Sequence, residues 1–132
     1  VKSEFGQTVR ELREGRGIGL RRFARQLGIS PTYLSKIERG EFAPPAEDKV
    51  VAMADALGAD RDVLLALAGR VASDLKAIIR RHPRELGALL RASRDLAPHQ
   101  ITGLIEGARA QRPGGGEAAM ERNSRRPERP GA

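Results

Sequence analysis

The sequence predicts an all-α protein. Apolar residues recur at spacings of three and four, and glycines and prolines punctuate the gaps between these stripes. Aromatics are scarce: with three Phe, one Tyr and no Trp, a core must be built from Leu, Ile, Val and Ala. That favours small helical units over a β-sandwich. The 132 residues suffice for one domain, or for a small domain with an accessory segment.

Glu4 to Glu14 places Phe5, Val9 and Leu12 on one stripe, and Gly15 and Gly17 end that helix. Gly19 is a permissive N-cap for Leu20 to Leu27, whose inward face is Leu20, Phe23, Ala24 and Leu27. Gly28 suits the turn that follows. Ser30-Pro31 is a strong helix start, Ser as N-cap and Pro at the first helical position. The helix it opens buries Leu34 and Ile37 and stops at Gly40. Pro44-Pro45 leads rigidly into Glu47 to Leu57, with Val50, Val51, Met53, Ala54 and Leu57 inward and Gly58 at the end. Asp60 caps a fifth helix with the stripe Val63, Leu64 and Leu67.

A second segment, residues 71–112, reads as three more helices: from Ser73-Asp74, from Pro83 to Leu96 and from Pro98 to Gln111. They carry few apolar residues and no aromatic, too few for an isolated unit. Their apolar faces must pack on the first domain (1–70) or on a second copy of the chain, and the second copy is preferred. Residues 113–132 lose all apolar periodicity to Gly114-Gly-Gly, prolines and scattered Arg and Glu, and are expected to be a disordered, solubilising tail.

Leu20 to Gly40 thus reads as two short helices and a tight turn, with basic and small polar side chains outward on the second. That is the layout of a helix-turn-helix, which lays its second helix in the DNA major groove. Net charge is +7, and its distribution agrees. Arg10 to Arg39 holds eight Arg or Lys against three acids, whereas Glu41 to Asp62 holds six acids against Lys49 and Arg61.

At Ala24-x-x-x-Gly28 and Leu34-x-x-Ile37-Glu38-x-Gly40 the chain resembles the Cro/C1-type (XRE) helix-turn-helix family, over roughly Phe5 to Ala68. The resemblance implies a five-helix, lambda-repressor-like DNA-binding domain. It implies base-edge contacts from the start of the reading helix and one turn later, at Pro31, Thr32, Ser35 and Lys36. Lys36 can donate to guanine O6/N7, and Thr32 can make a polar or a thymine-methyl contact. Pro31 has no donor and serves better to fix the helix start. Backbone contacts fall to Arg16, Gly19, Arg21, Arg22 and Arg39, with Ser35 also suited to backbone oxygens. Tyr33 either reaches a phosphate through its hydroxyl or packs over the side of the domain. Arg13 and Glu38 sit where the family often has a structural ion pair. Leu20 departs from the family, which often has a phosphate-anchoring Gln there. The anchor then falls to the Gly19 to Arg22 amides and to Arg21, Arg22 or Arg16.

No catalytic pattern competes. His82 and His99 stand at helix boundaries, cysteine is absent, and no paired carboxylates, metal loop or glycine-rich phosphate loop is visible. No cofactor and no enzyme activity are expected. Neither a membrane span nor a signal peptide is visible, so a cytoplasmic location is expected. The leading reading is a transcriptional regulator, a repressor by preference, bound as a dimer to a near-palindromic operator. The C-terminal helices resemble the appendage by which some two-domain repressors dimerise, and in a few of these a partner metallopeptidase cuts it. One alternative is an antitoxin-type module that grips a toxin through those helices and autoregulates its operon. Another is a coactivator bridging other factors.

Overall fold

The computed structural model describes residues 4–111, among which there are eight α-helices and no strand. The tail expected at 113–132 lies outside the described residues. The helices are α1 (Glu4–Gly15), α2 (Leu20–Leu27), α3 (Pro31–Glu38), α4 (Glu47–Leu57), α5 (Arg61–Leu67), α6 (Ser73–Arg81), α7 (Pro83–Ala92) and α8 (Pro98–Gln111). The chain divides into two compact units between Arg81 and His82, so α6 goes with the first five helices.

Local chemistry sets the ends of these helices. Ser30 caps α3 by accepting from the Tyr33 N–H at 3.0 Å, and Asp60 caps α5 by accepting from the Val63 N–H at 3.0 Å. Each of α1 to α5 is closed by a glycine at positive φ: Gly17, Gly28, Gly40, Gly58 and Gly69. At Gly40 the backbone reverses with φ of 78°. Its N–H then donates to the Ile37 carbonyl at 3.0 Å, and the Glu41 N–H donates to that of Lys36 at 2.9 Å. These are the paired bonds of a Schellman motif, which satisfies carbonyls the helix itself leaves open.

One core lies within the first unit. Phe5 and Val9 of α1, Phe23, Ala24 and Leu27 of α2, and Leu34 and Ile37 of α3 meet Val50, Met53, Ala54 and Leu57 of α4 and Leu64 and Leu65 of α5. Where α1 crosses α3, Gly6 is buried against the main chain: a Cβ there would meet the Ile37 carbonyl oxygen and lie 2.8 Å from that of Glu38. α6 is tied to α4 through Glu47, whose carboxylate accepts from Ser73 Oγ at 2.7 Å and from the Ser73 N–H at 3.1 Å.

Three expectations shift in phase. On α5, Leu64 and Leu65 are the buried pair while Val63 is 59% exposed, because a seven-residue helix is under two turns and its stripe is weakly phased by spacing alone. Leu12, Leu20 and Val51 are half-buried against the core instead of fully inside it. α3 ends at Glu38, with Arg39 as its C-cap.

α6, α7 and α8 bury no residue. In the second unit, His82 is the N-cap of α7 without a side-chain cap bond, and Gln100 Oε1 accepts from the Ala97 N–H at 2.8 Å at the start of α8. Leu89 and Leu90 on α7, and Ile101, Leu104 and Ile105 on α8, are exposed. No helix among the described residues is long and apolar enough to cross a membrane.

Candidate nucleic-acid interface

The buried side of α3 fixes what its other side can do. Leu34, Ile37 and Glu38 face inward, so Thr32, Ser35, Lys36 and Arg39 fall on the outer arc of the same helix. Thr32 and Arg39 are exposed, and Ser35 and Lys36 are half-buried. Pro31 occupies the first turn with Ser30 capping it, which leaves the start of α3 well ordered for outward contacts.

α2 lies along one flank of this arc. Ala24 is wholly buried at the crossing, and Gly28, with φ of 71°, turns the chain into α3. The C-terminal carbonyl of α2 at Leu27 is bonded by Lys49 Nζ of α4 at 2.7 Å, a cation at the negative end of the helix. At the other end Gly19 caps α2 without a side-chain bond, and the first N–H groups of a helix have no partner within it. Leu20, Arg21, Pro31, Thr32, Ser35 and Arg39 together line an open groove between that end and α3. Arg21 and Arg22 are exposed beside it. An anion seated there meets backbone amides, a helix dipole and guanidinium groups at once.

Arg13 ties this arrangement to α1. The residue is 7% exposed, and its guanidinium bonds the Glu38 carboxylate on α3 and the Ile18 carbonyl that leads into α2. The hydrogen bond to Glu38 raises its pKa against the opposing effect of burial, so the group stays charged inside.

Two predicted contact residues are differently engaged. The Arg16 guanidinium covers Gly58, at the C-terminal end of α4, so that a Cβ there would meet its Nη2. The open carbonyls of a helix end attract such a cation. Arg39 lines the groove but is also paired with Glu41, Nε to Oε2 at 2.7 Å. Tyr33 packs its ring on Phe42, centroids 5.8 Å apart. Leu20, where the family often has Gln, packs partly against the core.

Sequence reading missed Phe42, Glu41 and Lys49. Phe42 lies in the turn after α3 and is 44% exposed, with the Lys36 ammonium 5.1 Å from its ring centroid. The available signal was an aromatic in a polar turn with no periodic apolar neighbour to explain it.

A compact helical bundle that pins one polar helix beside a basic, amide-rich helix end defines a helix-turn-helix domain. Residues 4–67, just under half of the chain, match the family model described as a helix-turn-helix domain, the segment whose motifs resemble the Cro/C1 (XRE) type. An uncharacterized HTH-type transcriptional regulator of Bacillus subtilis (strain 168), RghRB, is 36% identical over 69 residues, 52% of this chain. The match spans 50% of that relative's length. Among solved structures, the clp gene regulator ClgR from C. glutamicum is 31% identical, with 51% of this chain and 86% of that one covered and a TM-score of 0.44. The master regulator for biofilm formation SinR, solved in complex with DNA, is 28% identical, with 46% and 97% covered and a TM-score of 0.43.

Proposed function

We propose that this chain is a sequence-specific DNA-binding transcriptional regulator that acts by occupying its operator and not by catalysis. One observation carries the reading. The outer arc of α3, bearing Thr32, Ser35 and Lys36, stands beside the arginine-flanked start of α2, whose cap Gly19 offers no side-chain bond. Arg21, Arg22 and the Gly19 to Arg22 amides supply sequence-independent, salt-dependent grip on phosphates. Thr32 and Lys36 supply part of the base preference, each good bidentate contact being worth roughly 1–3 kcal/mol of discrimination. The Bacillus relative, described as a transcriptional regulator, supports the same reading.

The sign of regulation is repression, since a protein lying across a promoter blocks access without further machinery. The active species is a homodimer held by the C-terminal helices, whose exposed Leu89, Leu90, Ile101, Leu104 and Ile105 call for a partner surface. Two reading helices then sit about 34 Å apart on a near-palindromic site. The working location is the cytoplasm, where such a site is accessible.

Selection of bound fragments from random duplex DNA, together with sedimentation of the free protein, tests this. An enriched motif with two half-sites one helical turn apart and a dimer in solution are expected. No preference over competitor DNA would remove the reading.

A further inference from the structure

The turn that ends α3 comes back onto the side chain it has just left. Gly40 reverses the backbone, and the N–H groups of Glu41 and Phe42 both donate to the Lys36 carbonyl, at 2.9 and 3.2 Å. Phe42 is therefore fixed to the backbone of Lys36 before any side chain is considered. Its ring then meets the Tyr33 ring at an interplanar angle of 48°, with centroids 5.8 Å apart. The Lys36 ammonium stands 5.1 Å from the centre of the same ring. Tyr33 and Lys36 are three residues apart on α3 and share a flank, so Phe42 spans both.

A core role does not account for this aromatic. It is 44% exposed, is outside the buried cluster, and follows Glu41 on a solvent-facing turn. A cation over an aromatic face is attracted by the negative ring face. A lysine side chain otherwise samples many rotamers, and that freedom is lost whenever its head group must reach one acceptor. Holding the ammonium over a fixed ring removes part of that loss in advance.

We infer that Phe42 is a positioning residue for base readout: its ring holds the Lys36 ammonium on the outer arc of α3 and so sharpens the preference Lys36 imposes on DNA. This rests on the DNA-reading function proposed above. Phe42 acts through Lys36, and Tyr33 and the Gly40 turn hold Phe42.

The test compares the full chain with Phe42→Leu, Phe42→Tyr, Lys36→Ala and the double variant Phe42→Leu/Lys36→Ala. Each is put through the same selection from random duplex DNA. Proton NMR of the free proteins reads the ring-current shift of the Lys36 ε-methylene, and a thermal melt confirms folding. Phe42→Leu is expected to lose the upfield shift and weaken preference about two- to fivefold, the range of an exposed cation–π contact. The loss falls in the same motif positions that Lys36→Ala relaxes. Phe42→Tyr keeps both the shift and the motif, and the double variant relaxes those positions no further than Lys36→Ala. An unchanged motif for Phe42→Leu, or a loss at other positions, overturns the inference while the DNA-reading function stands. Absence of any motif for the unmodified chain overturns both.

Discussion

Arg13 and Glu38 are joined by two parallel hydrogen bonds, Nε to Oε2 at 2.8 Å and Nη2 to Oε1 at 3.0 Å, across 25 residues of chain. The remaining guanidinium nitrogen, Nη1, donates to the Ile18 carbonyl at 2.8 Å. One side chain of α1 thus holds the end of α3 and the entrance to α2. Both partners are 7% exposed, so neither charge can turn to water if the other is removed.

Breaking such a pair from one side costs about 3–5 kcal/mol, because a buried charge is left without a partner. Arg13→Met and Glu38→Leu are each expected to fall in that range by urea unfolding. The double variant Arg13→Met/Glu38→Leu should recover most of the loss, since it removes both charges. Additive losses in the cycle would show that the two groups are not coupled.

Gly6→Ala tests the close crossing of α1 and α3. The added Cβ meets the carbonyl oxygens of Ile37 and Glu38, which belong to a helix backbone and cannot swing aside. A loss of about 1–3 kcal/mol is expected from the forced separation of the helices. Gly15→Ala is the control, because a Cβ at Gly15 has nothing within 4 Å and alanine is the better helix former. Equal effects at the two glycines on the thermal midpoint would contradict the packing described.

These cases mark what the sequence discloses. Ser30-Pro31, Asp60 and the glycines at 17, 28, 40 and 58 announce helix ends by local chemistry, and each does so in the structure. The Arg13–Glu38 pair followed from the family pattern. Gly6 was invisible because a glycine inside a helix reads as a local defect until the crossing helix is known. Lys49 on Leu27 spans 22 residues, and the Phe42 ring on Lys36 depends on how the Gly40 turn folds back. No periodicity carries either contact. The α5 stripe was misphased for a related reason: Leu64 and Leu65 point inward through the neighbours that α5 meets in the bundle.

The α4–α6 contact gives a pH dependence. Glu47 accepts hydrogen bonds from the side chain and then the backbone of Ser73, with Lys76 and Arg70 adding weaker attraction, and its pKa lies below the ordinary carboxylate value. A group whose folded pKa is depressed stabilises the fold above its unfolded pKa, about 4.3, and loses that contribution as pH falls through the folded value. Thermal melts should therefore show the advantage of the native chain over Glu47→Gln present at pH 6 and shrinking below about pH 4. Asp55, depressed by its hydrogen bond to Arg61, acts in the same direction and window. An advantage that grew on acidification would contradict both bonds.

Lys36 and Arg22 separate reading from gripping. Lys36 lies on the outer arc of α3, where the proposed function has a donor meet base edges, and Arg22 is exposed on the first turn of α2, where the same proposal has it meet phosphate. Lys36→Ala is expected to lose about 1–3 kcal/mol of discrimination at one base position and to keep much of its affinity for random DNA. Arg22→Ala is expected to weaken cognate and random DNA alike and to lower the slope of log affinity against log salt by about one. Competition binding at two or more salt concentrations distinguishes the two patterns. Equal losses on cognate and random DNA for both variants would mean that α3 is not the helix that reads.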